Sequence, residues 1–386
     1  MNLKRKITSF FIFLIISSLA FAGGYFTHAY VQTSETDFQL LAEAHSLLTD
    51  HAFFDLPEKP TLEYGMIRGM LDAYGDTHTR FVEPVQAELS HDNLAGSYGG
   101  IGADLDRDTE GFIILHPFPE GLGLDAGIKD GDRLMRVDDL DILPETTINE
   151  AVAALRGPEG ESVSVTIARP PEYQTLTFQI KRESIPLPSV TWYAAPAESR
   201  LGIIKVNLIA ASTAEEIENA VADLQSRGAI YFALDLRRNS GGLVDAGVNV
   251  ARLFLQDGDI LEEQYRDKPI ETYKVKQAGP LVDVPLVVLV DSGTASSAEI
   301  ITGALQAHGR APVFGTQTYG KDTIQLVFEL NDSSSLHVTA ATWWIPELET
   351  QIGESGLIPD TLVTPEDDSV TDAVIAAAVE FFTGDG

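Results

Sequence analysis

The sequence predicts a multi-domain α/β protein, and three observations carry that expectation. From residue 185 onward, short apolar runs alternate with amphipathic stretches: residues 201–206, 229–236 and 285–290 read as strands buried on both faces. Residues 92–184 break that rhythm with glycine turns between short strands, as an inserted, smaller β-rich unit would. Residues 35–90 carry apolar residues at helical spacing and read as a helical segment.

The chain has 386 residues, enough for two or three domains with cores that need no staples. Lys and Arg number 26 against 58 Asp and Glu, a net charge of 26 − 58 = −32. Such an acidic surface argues against nucleic acid, and against an anionic membrane surface, as partners of the globular part. Cysteine is absent, which excludes disulfides, thiolate metal sites and a cysteine nucleophile. With no H-E-x-x-H and no His/carboxylate cluster, no metal or other cofactor is expected.

The expected domains are a signal segment over 1–30, a helical region over 31–91, the β-rich unit over 92–184 and a core over 185–386. Lys4-Arg5-Lys6 precedes an apolar stretch. Its span, residues 7–26, is about the ~20 residues that cross a bilayer. An uncleaved anchor is the favoured reading; Ala20-Phe21-Ala22 leaves a cleaved signal as the rival. Either places the protein outside the cytoplasm, in the cell envelope. Two stripes follow, Phe38, Leu41, Ala42, Leu47 and Leu48, then Met66, Met70, Leu71 and Tyr74; both are expected to be core. His78, in the stretch from Gly75 to Phe81, reads as a histidine satisfied at a helix–loop junction.

In the β-rich unit, a glycine loop from Ser97 to Gly102 runs into a strand, and residues 111–115 and 162–168 read as further strands around a helix over 148–155. Asp125-Ala126-Gly127-Ile128-Lys129-Asp130-Gly131-Asp132-Arg133-Leu134 resembles the A-G-[IL]-x-x-G-D-x-[IL] signature of PDZ domains. The resemblance implies that Gly100, Ile101 and Gly102 bind a peptide's terminal carboxylate through backbone N–H groups while the peptide adds a strand.

In the core, helices are expected over 212–226 and from 244 towards 254, with Gly241-Gly242 in the turn between. The strand at 285–290 leads through a glycine turn into a helix over 296–308, the arrangement that pushes a serine out at a helix N-terminus. Ser296-Ser297-Ala298-Glu299 also fits a capping box, so Ser296 could serve only as a cap. A lysine in a glycine-flanked turn, Gly320-Lys321, follows the next strand, and a desolvated lysine can act as a serine's base.

The run Gly293-Thr294-Ala295-Ser296, with Lys321 following at 321 − 296 = 25 residues and Gln325 four further, resembles the carboxyl-terminal processing proteases, serine peptidases with a Ser/Lys dyad and an embedded PDZ domain. Asp235-Leu236-Arg237-Arg238-Asn239-Ser240-Gly241-Gly242-Leu243 and Gly356-Leu357-Ile358-Pro359-Asp360 resemble further family motifs. The resemblance covers nearly everything after residue 35. It implies an α/β peptidase core of crotonase/ClpP-like character, with Ser296 as nucleophile, Lys321 as base and Gln325 orienting that lysine. It also implies an oxyanion hole among Gly241, Gly242, Ala295 and Ser297. Substrates would be proteins or peptides held by their C-termini, and a homo-oligomer is possible. Two departures stand out: Ser297-Ala298 inverts the family order, and Asp322 replaces a glycine beside Lys321, where a carboxylate would favour the charged lysine. The rival functions are a silent PDZ adaptor and an acyl-CoA-type enzyme; neither needs the Ser/Lys pair.

Overall fold

The structure, a computed structural model, describes residues 38–119, 121–364 and 372–384. The expected anchor at 7–26 lies outside the described residues. Among those described, no helix is long and apolar enough to cross a membrane. The described residues divide into two compact units, with the boundary between Gly69 and Met70.

The first unit holds α1 (Gln39–His51) and most of α2 (Lys59–Tyr74). Helical spacing is confirmed here, but burial is not: Phe38, Leu41, Leu47, Leu48, Met70 and Tyr74 are exposed, and neither helix has a buried residue. The two helices instead line an open cavity of about 600 Å³ that includes Phe38, Leu41, Leu62 and Met66. An apolar stripe needs a second layer to become a core, and a helical pair supplies only one neighbour.

The second unit opens with β1 (Arg80–Val82), inside a stretch expected to be helical, and α3 (Pro84–Ala95), which starts on Pro84 and ends at Gly96. Next come β2 (Ser97–Gly100), β3 (Ala103–Arg107), β4 (Ile113–Pro117), the short α4 (Leu122–Ala126), β5 (Asp132–Val137), β6 (Leu140–Asp141), α5 (Ile148–Leu155), β7 (Ser162–Arg169) and β8 (Gln174–Lys181). β3, β4, β5, β7 and β8 form an antiparallel sheet in that order, with β6 on β5. Alternation along β7 puts Val163, Val165 and Ile167 into a core with Ile113, Leu115, Ile128 and Leu134. α5 carries a reciprocal capping box between Thr147 and Glu150. β9 (Glu183–Pro186) then pairs with β2, so the chain enters and leaves this sheet through one two-stranded clasp.

The remaining elements are β10 (Val190–Ala195), β11 (Glu198–Val206), α6 (Thr213–Ser226), β12 (Tyr231–Asp235), α7 (Val244–Phe254), β13 (Asp259–Tyr265), β14 (Glu271–Lys274), β15 (Leu286–Val290), α8 (Ser297–Ala307), β16 (Val313–Gly315), β17 (Thr323–Glu329), β18 (Ser335–Trp344), β19 (Thr361–Leu362) and α9 (Ala373–Thr383). One sheet runs β10-β11-β12-β15-β16-β19 and is parallel except at its β10 edge. All five residues of β15 are buried, as an apolar run between two covered faces must be; each such Val or Leu contributes about 1.5–3 kcal/mol relative to exposure. α6, α7 and α8 cover one face, joined by Ile260, Leu261 and Trp343 of a second sheet. α9 covers the other face through Val374 and Ala378, and Phe382 stacks on Tyr231 with ring centroids 4.6 Å apart. The second sheet runs β1-β18-β13-β14, with β17 also on β18.

Candidate active site

Three loops meet where three neighbouring parallel strands end. β12, β15 and β16 are consecutive in the sheet, so the loops leaving their C-terminal ends emerge side by side. Hydrogen bonds then stitch them together. The Thr294 hydroxyl donates to the Leu236 carbonyl at 2.9 Å, the Ala295 N–H to the Asn239 carbonyl at 2.9 Å, and the Tyr319 N–H to the Thr294 carbonyl at 3.0 Å. Asn239, fully buried, donates its amide to the Val206 carbonyl and accepts from the Gly241 N–H, both at 2.8 Å.

Ser296 sits at the turn from β15 into α8 with φ +56 and ψ −124. A side-chain-bearing residue held there costs about 1–3 kcal/mol and persists only where its surroundings over-determine it. Glu299, fully buried, is what fixes it. Its Oε2 accepts from the Ser296 N–H at 2.8 Å and the Lys321 N–H at 3.0 Å; its Oε1 accepts from the Gly320 N–H at 2.7 Å and the Thr318 hydroxyl at 2.6 Å. One carboxylate therefore holds the serine turn and the lysine turn together. Burial raises the Glu299 pKa, and the four hydrogen bonds oppose it. Thr318 is itself fixed by the Gly356 to Asp360 segment, because its hydroxyl accepts from the Leu357 N–H at 2.7 Å.

Gly241 packs against the serine turn: a Cβ built on it would lie 2.9 Å from both the Ala295 carbonyl oxygen and the Ser296 Cβ, and its φ is +99. Of the four expected oxyanion donors, two are already engaged, since the Gly241 and Ala295 N–H groups both donate to Asn239. The N–H groups of Gly242 and Ser297 have no partner among the described hydrogen bonds.

Lys321, Gln325 and Ala295 line one cavity of about 340 Å³ with Ser240, Gly293, Tyr319, Thr77, His78, Arg80 and His337. Burial lowers the Lys321 pKa, and the positive charge of Arg80 adds to the shift against the pull of Glu299 and Asp76. Asp322 is not among the charges acting on Lys321; its carboxylate lies 3.9 Å from where a Cβ on Gly353 would stand. Gln325 donates its amide to the hydroxyls of Thr323 at 3.1 Å and Thr339 at 3.3 Å, and among the described residues it makes no hydrogen bond to Lys321. His78 was expected only at a junction and in fact lines the cavity, half-buried. Arg80 and His337 were not expected at all; His337 carries a pKa lowered by burial and then by Arg80 and Lys321.

In the antiparallel β3–β8 sheet, the Ile101 carbonyl accepts from the Gly123 N–H at 2.6 Å and the Gly102 carbonyl from the Phe118 N–H at 2.8 Å. The N–H groups of Ile101 and Gly102 have no partner among the described hydrogen bonds. Gly102 takes φ +69 with the Gly121 backbone 2.8 Å from where its Cβ would be, so only glycine fits. A narrow cleft beside Gly100, Ile101 and Gly102 continues between β3 and Val152 and Leu155 of α5. β3 is the edge strand of its sheet, open to one more.

Residues 200–363 match the model of peptidase family S41, and residues 119–169 match a PDZ domain. The chain is 34% identical over 331 residues to a carboxyl-terminal-processing protease of Picosynechococcus sp., covering 83% of this chain and 79% of that protein. It is 29% identical to the carboxy-terminal processing protease CtpA of Bacillus subtilis, over 92% of this chain and 80% of the relative. The solved photosystem II D1 C-terminal processing protease is 28% identical, covering 85% of this chain and 87% of that one, with a TM-score of 0.46.

Proposed function

The chain belongs to the carboxyl-terminal-processing proteases, PDZ-bearing serine peptidases of family S41, and from that premise we propose how its own residues cleave a peptide bond. Ser296 Oγ attacks the scissile carbonyl while Lys321 Nζ, neutral at rest, takes the hydroxyl proton. The N–H groups of Gly242 and Ser297 stabilise the oxyanion, Gly241 and Ala295 serving to shape the hole. Lys321 then protonates the leaving amine, and water hydrolyses the acyl-serine by the same proton route. Gln325 borders Lys321 and offers its carbonyl oxygen to the ammonium that forms.

The observation that carries this reading is the Glu299 carboxylate, which ties the Ser296 turn to the Lys321 turn through four hydrogen bonds. Depression of the Lys321 pKa supports it, since a base must be able to shed its proton. We place the PDZ unit at residues 92–184, between a helical region over 31–91 and the peptidase core over 185–386. Gly100, Ile101 and Gly102 take the substrate's C-terminal carboxylate. The Lys4-Arg5-Lys6 and apolar 7–26 pattern supports export and retention at the membrane.

The test is cleavage of an unfolded model substrate by Ser296→Ala and Lys321→Ala. Each should abolish cleavage with the fold intact, and Lys321→Arg should be as poor, because a guanidinium does not give up its proton. Losses under about tenfold, roughly 1.4 kcal/mol, would overturn the assignment.

A further inference from the structure

The cavity beside Lys321 has a charge that the rest of the chain does not explain. The protein carries 58 acidic residues against 26 Lys and Arg, yet among the described residues no Asp or Glu lines this space. His78, Arg80, Lys321 and His337 do. Arg80 and His337 are register partners on β1 and β18, and residues directly opposite in an antiparallel pair project from the same face. Arg133, Arg156, Arg169, Arg200, Arg227 and Arg237 each hold a carboxylate within 4 Å, whereas Arg80 has no ion pair among the described residues.

The two carboxylates that act on Lys321 are already occupied. Glu299 has its four donors, and Asp76 accepts from the Thr79 hydroxyl at 2.5 Å and from the N–H groups of His78 and Thr79 at 3.1 and 3.0 Å. Arg80 gives this cavity of about 340 Å³ beside Lys321 a permanent positive charge, and with no described carboxylate on its walls the cavity can receive an anion.

We infer that this cavity is a specificity subsite for a carboxylate side chain, Asp or Glu, close to the scissile bond of the substrate, with Arg80 as its main partner. The inference rests on the Ser296/Lys321 reading and adds a preference to it. Arg80 is a partner by geometry as well as charge, because its planar guanidinium matches a carboxylate in a way a single ammonium does not.

The experiment compares peptides with one common C-terminal tail that differ by Glu or Gln at single positions within two residues of the cleaved bond. At low salt, kcat/KM should favour Glu over Gln by about tenfold at one of these positions, the lower end for a hydrogen bond to a charged group at a partly exposed site. The ratio should fall towards one in Arg80→Gln, drop below one in Arg80→Glu, survive only in part in Arg80→Lys, and shrink in the wild type as ionic strength rises. Cleavage of the Gln peptide serves as the internal control for folding and for the dyad. If Arg80→Gln cleaves neither peptide, Arg80→Lys and the wild-type salt dependence decide. A ratio near one at every position, or one unmoved by Arg80→Gln and by salt, overturns the proposal. So does a preference that follows only the free against the amidated C-terminus of a shortened tail. Failure of the dyad reading would show differently, as cleavage retained in Ser296→Ala.

Discussion

Glu299→Gln preserves the size and shape of the side chain and removes only its charge and one acceptor. Four donors face that carboxylate at 2.6 to 3.0 Å: the N–H groups of Ser296, Lys321 and Gly320, and the Thr318 hydroxyl. A Gln oxygen can serve only one pair. The least costly placement keeps the oxygen on the Ser296 and Lys321 N–H groups and sets the amide NH2 against Thr318 and Gly320. The Thr318 hydroxyl can reverse and accept, but the Gly320 N–H cannot. The Gly320 N–H and the displaced Thr318 hydroxyl proton are then both unmatched, at about 1–3 kcal/mol each, and the surviving bonds lose their charge assistance, about 0.5–2 kcal/mol each. Relief of the buried charge offsets part of this, leaving roughly 2–4 kcal/mol. If that falls on the alignment of Ser296 with Lys321, kcat drops about 30- to 1000-fold. Steady-state kinetics with thermal unfolding followed in parallel separates misalignment from unfolding. A second readout is specific to the site: the Glu299 charge raises the Lys321 pKa, so its removal should move the pH–rate profile to lower pH. A variant with kcat within threefold of wild type and an unmoved profile would refute the claim that Glu299 holds the two turns.

Three further outcomes follow from the same geometry. Gly241→Ala places a Cβ 2.9 Å from the Ala295 carbonyl oxygen and the Ser296 Cβ at φ +99, so kcat should fall at least tenfold, with about 1–3 kcal/mol lost in a denaturant melt; full activity would show that the turn can move aside. With Lys321 depressed by burial and Arg80, kcat/KM should rise with pH through an apparent pKa below the ordinary lysine value of about 10.4, and stability should rise with pH between that value and 10.4 because the unfolded chain binds the extra proton; Asp322→Gly should leave the profile in place. Amidating a peptide's C-terminus should weaken its binding to the full-length Ser296→Ala protein by about ten- to hundredfold in a titration, and equal affinity would mean that Gly100 to Gly102 form only a turn.

What could be read from the sequence tracks what is local in it. The 285–290 run is apolar throughout because both faces of β15 are covered, and α5 and α7 begin and end at the residues their periodicity and flanking turns indicate. The Ser296 and Lys321 turns carry their glycines beside them, so the site's backbone could be located. The rest depends on residues that meet only in three dimensions. β1 lies within a helical-looking stretch and becomes a strand because β18 pairs with it across more than 250 residues. Nothing near Arg80 or His337 announces a shared cavity. Glu299 was visible as the last residue of a capping box, but its bonds to Gly320 and Lys321 were not. The exposed stripes of α1 and α2 show the opposite limit, since periodicity fixes which face is apolar and leaves open what covers it.

The most direct test of the central claim is covalent capture of the nucleophile. A peptidyl fluorophosphonate, incubated with the enzyme across the pH range and read by peptide mass mapping, reports which side chain reacts and what activates it. The account requires the adduct on Ser296, a rate that climbs with pH as Lys321 loses its proton, and no adduct in Lys321→Ala under the same conditions. Labelling at another residue, or labelling of Ser296 at an unchanged rate without Lys321, would contradict it.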